Sequence, residues 1–244
     1  MRDKYFSVEH EPALVGGPAK PDPAESRAAP VGDPPSELEA LRDSVAGEPA
    51  LPQYRDPTEW TRWLEHKRGQ CSMPGNLGVT LLAAVLGGPF AVLGAFYSGQ
   101  QGWGPAIYAV VFAPVVEELL KQSGMIFVLE RKPYRVFASW QFLLAGLVSG
   151  FVFGAIENFV YVGSSAAILS PRDLERLAAY RWTVCTSLHV LCAAIASQGL
   201  VRVWKKHARE GGPVELAAAL PWFVVAMVVH GLYNLSAVFI GPEF

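Results

Sequence analysis

Five apolar stretches, at 76–98, 103–129, 140–163, 180–203 and 218–240, each come near the ~20 residues that a helix needs to cross a bilayer. In hydrocarbon every backbone N–H and C=O must be bonded inside the protein, so such stretches fold only as helices or as strands of a closed barrel. The runs are continuous and lack alternation of period two, which excludes the barrel. The expected fold class is therefore an all-α membrane protein, a bundle of about five transmembrane helices.

Outside these stretches the chain divides into two further parts. Residues 1–55 are Pro-rich and polar, have no apolar core of signal-peptide length, and are expected to form a largely disordered cytoplasmic arm. Ser36 and Glu39 form a capping-box pattern that predicts a short helix ending near Gly47, before Pro49 and Pro52. In residues 56–75, Asp56 and Pro57 supply an N-cap and a first-turn proline, and Trp60, Trp63 and Leu64 form an apolar strip beside Arg62, Lys67 and Arg68. This predicts an amphipathic juxtamembrane helix lying on an anionic lipid surface, with an ordinary amphipathic turn as the alternative. Residues 76–244 then form the transmembrane domain.

The connections orient the bundle. Arg62, Lys67 and Arg68 precede the first stretch, Arg131, Lys132 and Arg135 follow the second, and Arg202, Lys205, Lys206 and Arg209 follow the fourth, so all three clusters fall on one side. The positive-inside rule places that side and the N-terminus in the cytoplasm and the C-terminus outside. A net charge of −2, with no broad basic patch, gives no support for nucleic-acid binding. Cys71, Cys185 and Cys192 show no CxxC spacing, and neither disulfides nor cysteine chemistry are expected.

Function is indicated by polar residues at membrane depth. Ala113–Lys121, A-P-V-V-E-E-L-L-K, places Glu117, Glu118 and Lys121 inside the second stretch, where one charged residue costs at least ~2.5 to 3.5 kcal/mol on insertion scales. Glu157 and Asn158 lie in the third stretch, His189 in the fourth, His230 and Asn234 in the fifth. Counted from the basic ends at ~1.5 Å per residue, their depths agree within about one helical turn. Ionisable groups brought to one layer by four helices face a bundle interior or a water-filled cavity. Gly146, Gly150 and Gly154 form a small-residue ridge that allows a neighbouring helix to approach Glu157.

E-E-x-x-K at Glu117 to Lys121, F-x-x-x-E-N at Phe153 to Asn158, the mid-membrane His189, and H-x-x-x-N at His230 to Asn234 follow one another on successive stretches. In this order they resemble the PrsW family of intramembrane proteases, which is similar to the wider group of CAAX prenyl proteases and bacteriocin-processing enzymes. Lys121 and Glu157 favour the PrsW branch, because the wider group usually has Arg after the paired Glu and His in place of the later Glu. The resemblance covers residues 77–240 and implies a peptide hydrolase of a bacterial cytoplasmic membrane, acting on a membrane-protein or peptide substrate such as an anti-sigma factor.

Peptide hydrolysis requires an activated water and a stabilised oxyanion. The expected roles are Glu118 or Glu117 as the base, His189 orienting the water, His230 with Asn234 polarising the scissile carbonyl, and Glu157 positioning His or water. Lys121 and Asn158 support them. The competing chemistry binds Zn²⁺ through Glu118, Glu157, His189 and His230. No HExxH pattern occurs, and the reading without a cofactor is preferred. A polar-core transporter or proton relay would collect the same residue types, but the sequence lacks a pair of broken helices in matching halves. A non-catalytic membrane scaffold would have no use for the intact polar layer.

Overall fold

Helix α1 (Pro57–Gly69) begins on a proline, whose fixed φ suits a first turn, and ends on a glycine. In the computed structural model the described residues are 57–99, 101–102, 104–210 and 214–240, and they all fall in one compact unit. The arm expected over residues 1–55, with its short helix after Ser36, lies outside them. Among the described residues all regular structure is helical.

The α1 strip faces the protein. Trp60 and Leu64 are buried, with the Trp60 ring 4.8 Å from His207, while Trp63 stacks on Trp60 and meets Tyr134 edge-on at 5.9 Å. Arg68 Nη2 donates to the Val136 carbonyl at 3.0 Å. Because α1 touches both the turn Pro133–Arg135 and the His207 region, the three basic clusters share one end of the bundle.

Helix α2 (Met73–Gly99) is followed by a turn at Gly102, whose φ of 76° lies in the left-handed region that favours glycine. The chain then re-enters through a short turn, Pro105–Ile107, and a π-helical turn, Tyr108–Phe112, which leads into α3 (Ala113–Lys121). Gln122 separates α3 from α4 (Ser123–Arg131). After Pro133–Arg135 come α5 (Trp140–Ser165), α6 (Pro171–Tyr180), a second π turn (Arg181–Cys185), α7 (Thr186–Glu210), a 3₁₀ turn (Leu216–Ala219) and α8 (Leu220–Ile240). Ser170 caps α6, accepting the Asp173 N–H.

Among the described residues four helices, not five, are long and apolar enough to cross a membrane: Met73–Gly99, Trp140–Ser165, Pro171–Arg209 and Leu216–Ala237. The stretch expected at 103–129 departs from this pattern for two reasons: it carries Glu117, Glu118 and Lys121, and it breaks at Gln122. The break is bonded internally. Gln122 N–H turns back to Leu119 O at 3.2 Å, and its side chain donates to Ala193 O at 2.9 Å. Ser149 Oγ donates to the Lys121 carbonyl at 2.8 Å. Non-helical backbone is tolerated at membrane depth when protein groups satisfy it in this way.

Helix α5 packs between α2 and α7, α7 also meets α8, and α3 lies against α2 and α8. The core consists of Phe142, Leu129, Leu200, Val203, Phe223 and Ala226 with their neighbours. Phe90, Leu93, Phe96, Phe159 and Leu232 point outward, as lipid-facing residues do. Small residues set the α5–α7 distance: a Cβ on Gly150 would lie 2.7 Å from the His189 carbonyl oxygen, and one on Gly146 would lie 2.7 Å from that of Ala193.

Candidate active site

The residues of α3 supply the centre of the site. Glu117, Glu118 and Lys121 are all buried, and Lys121 Nζ lies 2.7 Å from Glu118 Oε1 and 3.8 Å from Glu117 Oε2. Successive helical positions project ~100° apart, so the two carboxylates have different surroundings. Glu118 Oε1 also accepts from His230 Nδ1 at 2.9 Å, whereas the basic nitrogens nearest Glu117 Oε2 are His230 Nε2 at 3.7 Å and Lys121 Nζ at 3.8 Å. Oε2 of each glutamate is buried without a hydrogen-bond partner.

His189 on α7 joins the pair from the other side. Its Nδ1 lies 3.2 Å from Lys121 Nζ and, as the ammonium has only hydrogens to offer, accepts from it. Its Nε2–H donates to Glu157 Oε2 on α5 at 2.8 Å. The His189 and His230 rings stand edge to face at 5.0 Å, and Phe153 floors the group, 4.8 Å from the His189 ring and 4.0 Å from Lys121 Nζ. The layer expected from helix depths thus converges: Glu117, Glu118, His189 and His230 each offer a ligand atom within 4.8 Å of the others.

Three expected residues stand outside that group. Glu157 lies behind His189, so Glu117, not Glu157, completes the four donors. Asn234 Nδ2 donates to Ala109 O at 2.7 Å, in the first π turn. Asn158 Nδ2 donates to Arg181 O at 3.2 Å and to Thr186 Oγ1 at 2.9 Å, at the second. A π turn frees backbone groups from the regular helical ladder, and each asparagine binds such a carbonyl from a neighbouring helix.

Arg181, at the very start of the stretch 180–203, was not among the candidates. It donates from Nη2 to Glu157 Oε2 at 2.8 Å and from Nε to Asn158 Oδ1 at 3.2 Å. An α-helix turns ~100° per residue, so Arg181 and His189, eight positions apart, would lie about 80° out of line; the extra residue of the π turn absorbs most of that offset.

The donor set suits a divalent ion of the zinc class, with two carboxylates, two imidazoles and two buried carboxylate oxygens lacking partners. One contact competes with it, since the Lys121 ammonium already touches Glu118 and His189.

A family model described as PrsW family intramembrane metalloprotease matches residues 71–244. No curated protein and no solved structure matches the chain.

Proposed function

The chain belongs to the PrsW family of intramembrane metalloproteases, and from that premise we propose that it is an endopeptidase cutting a membrane-protein substrate with a water activated by Glu117. The observation that carries this reading is the convergence of Glu117, Glu118, His189 and His230 in one buried group. Oε2 of both glutamates lacks a partner, but Glu118 is held through Oε1 by Lys121 and His230 at 2.7 and 2.9 Å, whereas Glu117 makes only contacts of 3.7 to 3.8 Å and is the carboxylate freer to accept a proton.

In this mechanism Glu117 takes a proton from water as the water oxygen adds to the scissile carbonyl carbon, and the carbonyl electron pair moves onto oxygen. His189, with Nδ1 turned inward, orders the water. His230, its ring fixed by the Nδ1 contact with Glu118, polarises the scissile carbonyl, aided by the second amide hydrogen of Asn234. Collapse breaks the C–N bond, and Glu117 returns its proton to the leaving amine. Lys121 keeps Glu118 charged and in place.

A second reading is favoured by the two unpartnered carboxylate oxygens and the family's description. A zinc ion held by Glu117, Glu118, His189 and His230 would supply an acidified water and a Lewis acid at the same carbonyl. The contact of Lys121 with two of those donors favours the metal-free form.

Substrates of this reading are single-pass membrane proteins, with anti-sigma factors the class that the resemblance to the PrsW family implies. The basic end of the bundle faces the cytoplasm and the Glu157–Arg181 end faces outside. The test is cleavage of transmembrane peptides by purified protein in proteoliposomes. Wild type cuts, and Glu117→Gln cuts at least ~10²-fold more slowly, as general-base loss implies. Undiminished cleavage by that variant overturns the assignment.

A further inference from the structure

We propose that Arg181 is a positioning residue of this site: through Glu157 it holds the His189 ring in the state that turns a bare Nδ1 toward Lys121 and Glu118. The kinetic arm of the proposal rests on the protease reading above; the geometry does not.

Arg181 opens the second π turn, and α5 grips it at three positions within little more than one helical turn. Nη2 donates to Glu157, Nε donates to Asn158, and the guanidinium lies 3.8 Å over the Tyr161 ring. Asn158 closes the loop, since its Nδ2 returns to Arg181's own carbonyl. A planar guanidinium with a fixed fork of donors suits such a clamp, and an ammonium cannot make all of these contacts together. The backbone and side chain of Arg181 are therefore both registered against α5.

The clamp acts on His189 through a single oxygen. Glu157 Oε2 accepts from Arg181 Nη2 at 2.8 Å and from His189 Nε2–H at 2.8 Å. The proton on Nε2 leaves Nδ1 as the lone pair, and Nδ1 faces Lys121 Nζ at 3.2 Å. The Glu157 side chain is 22% exposed, so without Arg181 it has solvent to turn to. His189 then loses the acceptor that sets its ring. Whether the inward nitrogen orders a water or ligates an ion, its availability depends on a residue two contacts away.

The experiment uses full-length protein with ¹⁵N-labelled histidine in detergent micelles. The chain has five histidines, and His189→Gln identifies the His189 ring signals. Wild type should show a single His189 state with Nε2 protonated. Arg181→Gln should show a mixture of ring states, and Arg181→Lys should restore part of the wild-type pattern. In proteoliposomes Arg181→Gln should lower kcat by ~10- to 100-fold, the range for loss of an outer-shell partner, with little change in KM. Combining it with Glu157→Gln should add little to the more severe single variant. Should Arg181→Gln fail to fold, Arg181→Met, which keeps the length of the side chain against Tyr161, carries the same ring measurement. An unchanged His189 signal in a folded Arg181→Gln or Arg181→Met protein overturns the proposal, whatever cleavage does. A changed ring state with no cleavage even by wild type upholds the positioning role and overturns the protease reading instead.

Discussion

The Lys121 ammonium lies 3.2 Å from Nδ1 of His189, so a candidate metal-ligand nitrogen is already in use as the acceptor of a fixed cation. The same ammonium holds Glu118 at 2.7 Å. An ion entering the four-donor group can take the unpartnered Oε2 of Glu118, but it must displace Lys121 from His189 Nδ1 or coordinate the group less completely. Elemental analysis of purified protein should accordingly find less than one zinc per chain, and a chelator should leave cleavage intact. Lys121→Met removes the competitor while filling its volume, and should bind zinc more tightly than wild type by calorimetry. One tightly held zinc in wild type, whose removal abolishes cleavage, would establish the metal reading in its place.

Glu118 and Glu117 should differ in what their loss does. Glu118 Oε1 accepts from both Lys121 and His230, and removing one partner of a buried pair leaves the other charge uncompensated. Glu118→Gln should therefore destabilise the protein by ~3 to 5 kcal/mol, visible as a lower thermal midpoint in detergent. Glu117, with only longer contacts, should lose cleavage on changing to Gln with much less loss of stability. Equal stability losses would remove the distinction between a structural and a reacting glutamate.

Much of this site was legible because the membrane makes polar residues conspicuous. Glu117, Glu118, His189 and His230 stand out from apolar stretches, and helix depth alone brings them to one layer. The break at Gln122 was not legible, because what permits it is a Ser149 hydroxyl on the Lys121 carbonyl and an Ala193 carbonyl for the Gln122 amide, both from distant stretches. That is why five spans were expected where four continuous helices occur. Arg181 was hidden for a related reason: an inserted residue in a π turn shifts helical phase without marking the composition. The destination of the Trp60 strip was expected to be the lipid surface, since sequence does not distinguish a strip that meets lipid from one that meets protein; here the cover of Trp60 and Leu64 is the bundle.

The shared basic end makes orientation testable. Reporter fusions at the N-terminus and near Lys205 should read as cytoplasmic, and one in the α5–α6 connection as external. That connection lies near Glu157 and Arg181, so the opposite pattern would place the exposed side of the site in the cytoplasm and require a different class of substrate.

The close approach of α5 to α7 is where packing and chemistry meet. Gly150 has the carbonyl of His189 directly above it, and a methyl group built there would lie 2.7 Å from that oxygen, closer than real Cβ contacts allow. The obstacle is backbone, so α7 cannot avoid it by a rotamer change and must move outward, taking His189 with it. Gly150→Ala should then cost ~1 to 3 kcal/mol of stability, the usual range for overpacking. Cleavage should fall by more than that loss explains, because a displacement near 1 Å at a catalytic group can cost ~10²-fold in rate. Gly163→Ala is the control, since nothing lies within 4 Å of its would-be Cβ, and it should leave both stability and cleavage near wild type. If Gly150→Ala lowered the thermal midpoint but cleaved as fast as wild type below its transition, the α5–α7 distance would matter for folding alone, and His189 would tolerate more displacement than its contacts with Glu157 and Lys121 imply.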